Sequence, residues 1–225
     1  MKISIIIPVL NESSHIAETL QKMETFREYA QIIIVDGGST DNTLDIARHY
    51  ARVITGPRGR ALQMNAGARE AWGDVLLFLH ADTYLPDGAL TAVEKCLADK
   101  KVIGGRFSVR LDLPGWRYRM VGSTINLRDR VFGGFTGDQA IFIRTDVFQK
   151  LGGYAEIPLM EDLEFGKRMR REGKVALLPE YVTTSARRWQ KKGVFRTIFL
   201  MWTLKILYFL GLPPSRLVKL YGDAR

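Results

Sequence analysis

The run Ile32-Ile33-Ile34-Val35-Asp36-Gly37-Gly38-Ser39-Thr40-Asp41 constrains this chain more than any other segment. An apolar strand of the buried type stops on a carboxylate, two glycines, a hydroxyl and a second carboxylate. In a parallel α/β sheet, ligands bind in the crevice beyond the carboxyl ends of the strands, where a terminal Asp can accept hydrogen bonds from a base or ribose. Glycines at that edge let a ligand come close to the backbone. The same run also suits an Asx-turn followed by a helix N-cap at Ser39 or Asp41. The arrangement recurs: residues 75–79 run into His80-Ala81-Asp82, and Pro158-Leu159-Met160 run into Glu161-Asp162. Acidic groups therefore stand repeatedly where apolar segments stop.

Strand and helix patterns alternate around these edges. Residues 3–10, 32–35, 52–54 and 75–79 read as strands; 13–29, 41–50, 59–71 and 87–97 read as helices, the last after the stop signal at Pro86. This alternation predicts an α/β fold, a mostly parallel central sheet with helices on both faces. Beyond Lys101 the rhythm loosens. Residues 102–109 and 140–144 read as strands, 163–171 as a basic helix, 175–178 and 181–184 as short strands, and 133–138 as a glycine-rich, mobile binding loop. No internal repeat or low-complexity linker interrupts the chain. At 225 residues it forms one substantial domain with little left for a second. The stretch 2–8 is short for a signal h-region, lacks a small-residue cleavage site and reads as the first strand.

Charge narrows the class of partner. Residues 187–225 carry nine Lys and Arg against Asp223 alone, a net of +8, so the rest of the chain is nearly neutral within a total of +9. A nucleic-acid binder spreads its basic groups over a face of the fold, whereas a terminal concentration beside the apolar segment 194–212 points to a membrane surface, an identical subunit or an anionic partner. Lys205 near the middle of that segment disfavours spanning a bilayer. The single Cys96 excludes an internal disulfide, fits a reducing cytoplasm and reads as a core thiol.

Several chemistries are excluded by motif. Pro8-Val9-Leu10-Asn11-Glu12 follows the first strand where a dinucleotide fold needs its glycine fingerprint, and no Walker-type loop occurs. No His/Cys cluster has metal-ligand spacing, and Ser123 and Ser185 lack a nucleophile-elbow setting.

Pro8 to Glu12, Val35 to Asp41, Asp82 in an Asp-x-Asp slot, Glu161-Asp162 and Arg188-Trp189, in that order, resemble a family 2 glycosyltransferase of the GT-A fold over roughly residues 1–190. The Arg187-Arg188-Trp189 ending and the His80-Ala81-Asp82 triplet are most similar to a bacterial subgroup of arsenosugar-biosynthesis type. The resemblance implies a catalytic domain over 1–190, with a nucleotide-binding half of about 1–100 and an acceptor half of about 101–190, followed by a basic, apolar helical tail over 191–225. It implies that Pro8, Glu12, Asp36, Gly38, Ser39, Arg58 and Ala81 hold a donor nucleotide, with UDP-sugars favoured. Asp82, with His80, would hold Mg²⁺ or Mn²⁺ on the diphosphate, and Asp162, beside Glu161, would be the general base. Asp138, Gln139, Arg188 and Trp189 would face the acceptor or the phosphates. The expected reaction is inverting transfer of one sugar to a hydroxyl of a small or lipid-linked acceptor, in the cytoplasm or peripherally on the inner face of the inner membrane.

Two departures stand out. His80 occupies the usual place of the first Asp of the metal motif, and Ser185 stands where processive members have Gln or Arg, which favours single transfer. The alternatives are a catalytically silent, membrane-associated scaffold that binds a nucleotide sugar, and a sugar-nucleotide pyrophosphorylase, whose glycine-rich basic loop after the first strand is absent here. Each residue also has a structural reading: Glu161 and Asp162 can complement a helix dipole, His80 and Trp189 can be packing residues, and Arg58, Arg60 and Gln63 can form a solvated helix start.

Overall fold

The computed structural model describes residues 1–221, the side chains of Val131 and Phe132 excepted. The first half alternates as expected: β1 (Ile3–Val9), α1 (Ile16–Met23), β2 (Ala30–Asp36), α2 (Thr43–Arg48), β3 (Arg52–Thr55), α3 (Arg60–Arg69) and β4 (Val75–Phe78). There follow β5 (Thr83–Tyr84), α4 (Ala89–Leu97), β6 (Val102–Leu111), α5 (Trp116–Phe132), β7 (Ile141–Arg144), α6 (Thr145–Lys150), α7 (Glu161–Glu172) and β8 (Lys174–Thr184). Three helices close the described chain: α8 (Arg187–Lys192), α9 (Val194–Phe209) and α10 (Pro214–Tyr221).

All strands join one eight-stranded sheet in the order β3-β2-β1-β4-β7-β6-β8-β5. The quartet β3-β2-β1-β4 is parallel throughout. Strand β7 runs against both β4 and β6, and β8 is again parallel to β6. Period-2 alternation divides the core: Ile5, Ile7 and Val9 of β1 pack with Ile16 and Leu20 of α1 and Val93 of α4. Ile6 points the other way, to the layer holding Met64 of α3 and Phe165 and Met169 of α7. Helices thus cover both faces.

The register of β3-β2-β1-β4 aligns four strand ends, so the loops carrying Glu12, Gly38, Arg58 and Asp82 all emerge from one edge. Gln63 of α3 locks two of those ends together, its Nε2 donating 2.8 Å hydrogen bonds to the carbonyls of both Val9 and Val35. Close packing of α3 depends on Gly67, where a Cβ would lie 2.9 Å from Val35 Cγ2 and closer still to Ile6. Overpacking of this kind costs about 1 to 3 kcal/mol, against about 1 kcal/mol gained in helix propensity. Gly67→Ala is therefore expected to lower the urea midpoint; a raised midpoint would show that α3 can back away from the sheet.

The sequence pattern missed four elements, α5, β5, α6 and α8. Helix α5 has no continuous apolar stripe, because it docks by polar bonds: the buried Asn126 accepts from the Val109 amide and donates to the Val109 carbonyl, each at 2.9 Å. Strand β5 and helix α6 are too short for a periodic signal. The two short strands expected over 175–184 are one, β8, because its pairing with β6 passes from Leu178 directly to Tyr181 and leaves Pro179 and Glu180 outside the ladder. Cys96 is half-buried at the edge of the core rather than fully within it.

Candidate functional site

A cavity of about 700 Å³ opens at the carboxyl edge of the parallel strands. Pro8, Asn11 and Glu12 line it from the end of β1, Arg58 and Arg60 from the start of α3, and His80, Ala81 and Asp82 from the loop after β4. The opposite wall comes from the second half of the chain: Asp138, Glu161, Asp162, Arg188 and Trp189. A small pairing joins the two sides. Thr83 in β5 lies opposite Thr184 in β8, the two hydroxyls bond at 3.0 Å, and the Ser185 amide donates to the Asp82 carbonyl. This carries Arg187, Arg188 and Trp189 across to Asp82.

Among the described residues, three other than glycine have left-handed backbones: Asn11 (φ 53°), Ala140 (φ 47°) and Met160 (φ 69°). Asn11 and Met160 line the cavity, and Ala140 closes the 137–139 turn that carries Asp138. Such strain collects where a fold fixes a functional loop. Asn11 is held by its amide donating to Ser39 Oγ at 2.9 Å and by its Oδ1 accepting from the Thr40 amide at 2.8 Å.

Those bonds correct the expectation for Asp36, Gly38 and Ser39. The buried Asp36 carboxylate accepts from the Gly38 amide at 2.8 Å and from the Ser39 amide and hydroxyl, and none of the three residues lines the cavity. The run forms the Asx-turn that the sequence also allowed, and it acts on the site through Ser39 and Asn11. Gln139 is corrected likewise. It is fully buried, with its side-chain carbonyl on the Thr136 amide and its Nε2 on Asp129, so it faces neither acceptor nor phosphate. Together with Phe135, buried beneath the Arg106 guanidinium, it pins the glycine-rich loop to the body of the protein.

Glu161 and Asp162 open the first turn of α7 and are both buried. Glu161 pairs with Arg60 at 3.3 Å. Burial works against the charge on Arg60, but Glu161 and Asp162 outweigh it and hold the guanidinium firmly protonated. Asp162 is different. Burial first, then Glu161, push its carboxyl well above the usual carboxylate range, with Arg60 opposing and Asp138 adding to the rise. The Gly137 amide donates to it, and its Oδ1 has no hydrogen-bond partner among the described residues. Gly137 explains how close this corner is: a Cβ there would lie 2.7 Å from Asp162 Oδ2 and against the His80 imidazole. Burial likewise raises Glu12, opposed by Arg187, whose Nη2 is 3.5 Å away.

Sequence reasoning did not assign Gly137, Arg60, Arg187 or Lys205 to the site. Arg60 was weighed beside Arg58 and Gln63 as a contact to the nucleotide or its phosphates and not selected, and Arg187 adjoins the selected Arg188. Gly137 lies within the segment 133–138 read as a glycine-rich binding loop, and nothing in the sequence marked the direction of Lys205.

No group of three or more His, Cys, Asp and Glu side chains forms a metal site among the described residues. Asp82 offers a carboxylate, which suits Mn²⁺ or Mg²⁺ when phosphate oxygens and water complete the coordination, and His80 offers an imidazole, a donor that Mg²⁺ does not favour.

Residues 4–152 match the model of Glycosyl transferase family 2. The chain belongs to this family. Relatives include the PGL/p-HBAD biosynthesis glycosyltransferase of Mycobacterium tuberculosis, 32% identical over 165 residues, covering 67% of this chain and 62% of that protein. The probable glycosyltransferase YdaM of Bacillus subtilis is 28% identical over 199 residues, covering 76% of this chain and 47% of that protein. The chain thus spans less than two thirds of the length of either relative. Among solved structures, S. aureus TarS in complex with UDP-GlcNAc superposes with a TM-score of 0.66 at 18% identity, over 82% of this chain and 58% of that one. The mannosyltransferase PcManGT of Pyrobaculum calidifontis, in complex with GDP-Man and Mn²⁺, superposes with a TM-score of 0.67 at 19% identity, over 86% and 61%. The fold of the chain is therefore of the GT-A type.

Proposed function

We propose that this glycosyltransferase moves one sugar, with inversion, from a nucleoside diphosphate, UDP-sugars being favoured, to a hydroxyl of a small or lipid-linked acceptor. The observation that carries the reading is Asp162: a buried carboxylate with a free oxygen, in one cavity with His80 and Asp82. The acceptor oxygen attacks the anomeric carbon, the bond from that carbon to the diphosphate breaks, and the acceptor proton passes to Asp162. Attack from the face opposite the leaving group inverts the anomeric centre. The burial that raises the proton affinity of Asp162 also makes it a stronger base than a solvated carboxylate.

Pro8, Glu12, Arg58 and Ala81 lie on the donor side, where Asp82 and His80 would hold a divalent cation. When bound, that cation supplies charge stabilisation for the departing diphosphate. Arg60 holds Glu161 in place beside the base. Asp138, Arg188 and Trp189 lie on the acceptor side, and Arg188 is steadied over the Tyr221 ring at 5.4 Å. The Arg187-Arg188-Trp189 ending and His80-Ala81-Asp82 support membership of the arsenosugar-biosynthesis-type subgroup.

With so few protein donors, the cation is expected to bind with the nucleotide rather than ahead of it. Calorimetric titration of UDP in the presence of Mn²⁺ tests this. EDTA is expected to abolish most of the affinity, and Asp82→Asn to weaken it by about 1.5 to 3 kcal/mol, the range for losing a charged partner. Equal UDP affinity with and without Mn²⁺ would remove the metal from the account.

A further inference from the structure

Helix α9 has two dissimilar faces. Its inner side places Met201 and Lys205 in the cavity wall, where α9 packs across α5 and Lys205 faces Arg128, Asp129, Asp138 and Asp162. Its outer side carries Phe195, Phe199, Ile206 and Phe209, spaced so that they share one helical face. Phe199 is 75% and Phe209 73% exposed. Trp202, 46% exposed, shares this outer face by its spacing and also lines the cavity. Other exposed large apolar residues, such as Tyr29, Trp72 and Trp116, belong to separate elements.

Charge indicates what covers the outer face. The sequence has no acidic residue from Tyr181 to Gly222, and Lys191, Lys192, Arg196, Arg216 and Lys219 flank the apolar strip. An apolar strip whose sequence neighbours are basic and never acidic is complementary to an anionic bilayer surface. No described helix is long and apolar enough to cross a membrane, so α9 would lie on the surface. On the inner face Lys205 forms no ion pair among the described residues, although it is half-buried beside a second cation, Arg128, which is itself paired with Asp129 at 2.7 Å. Burial first, then Arg128, lower its proton affinity against the opposing pull of Asp129, Asp138 and Asp162, and an incoming anion would raise it again.

We propose that α9 is the membrane-facing wall of the acceptor site: its outer face beds into an anionic bilayer, and an amphiphile with a phosphate or carboxylate head enters past Trp202 to meet Lys205 and Arg128. That this amphiphile is the sugar acceptor rests on the transferase reading above; the bilayer contact and the anion site do not.

Flotation of the full chain with phosphatidylcholine vesicles, with and without phosphatidylglycerol, tests the outer face. The protein is expected to float only with the anionic vesicles and less at high salt, and Phe199→Ser/Phe209→Ser to lose about tenfold in partitioning. Calorimetry with decyl phosphate and decyl maltoside, in the presence of UDP and Mn²⁺, tests the inner face. Decyl phosphate is expected to bind about tenfold tighter to the parent than to Lys205→Gln, a variant that still floats, and decyl maltoside to show no such difference. Failure to float on anionic vesicles at low salt would overturn the bilayer contact. So would a dimer that the double serine variant dissociates, since a second copy would then cover the face. Unchanged decyl phosphate binding in Lys205→Gln would overturn the anion site. UDP binding, read in the same samples, reports separately on the transferase reading: without it the acceptor assignment falls, and flotation still judges the membrane.

Discussion

Asp162→Asn is expected to bind UDP and Mn²⁺ as the parent does while turnover falls by about two to four orders of magnitude, the range for removing a general base. The substitution is nearly isosteric and leaves an oxygen to accept from the Gly137 amide, so the corner between α7 and the 136–139 turn keeps its shape. Replacing a carboxylate held partly protonated by burial also costs little in stability, because the neutral amide resembles the neutral acid. Binding and fold should therefore persist while proton acceptance is lost. A variant with near-parental turnover and an acceptor present would remove Asp162 from the chemistry and leave Glu161 and Asp162 as partners of the α7 dipole and of Arg60.

Gly137→Ala is the second large effect. The added methyl group would fall 2.7 Å from Asp162 Oδ2, which is buried, and into the half-buried His80 ring. Either the 136–139 turn retreats or the base and the imidazole separate. Displacement of a reacting group by about 1 Å costs roughly a hundredfold in rate, which is the expected loss in turnover. Thermal unfolding should remain cooperative, since Gly137 lies at the cavity and not in either apolar layer. Full activity in this variant would show that the close approach of His80 and Asp162 is not needed.

The legible part of this molecule was the part built from local patterns. Apolar runs such as 32–35 are strands because buried parallel strands need no polar alternation, and the acidic residues at their ends could be placed on one edge from alternation alone. What could not be read was decided by packing across distance. Asp36 was visible as a strand-end carboxylate, yet only the course of Gly38 and Ser39 shows that both oxygens are engaged there, Oδ2 by the two amides and Oδ1 by the Ser39 hydroxyl. Gln139 was a polar residue in a glycine-rich loop, and its burial follows from Asp129 on a helix with no periodic signature. Lys205 was visible as a charge within an apolar helix, but its direction depends on how α9 packs on α5. Arg60 and Glu161 meet across 101 residues, a contact with no local trace.

The central claim is that the cavity transfers a sugar and does more than hold a nucleotide. It is tested most directly by incubating the full chain with Mn²⁺, radiolabelled UDP- and GDP-sugars and a mixture of extracted lipids and small hydroxylated metabolites, beside Asp162→Asn. The account predicts labelled product and nucleoside diphosphate in equal amounts from the parent, neither from the variant, and inverted configuration at the new anomeric centre. Nucleotide-sugar binding by the parent with no nucleoside diphosphate released from any donor would contradict it and make the protein a binding scaffold.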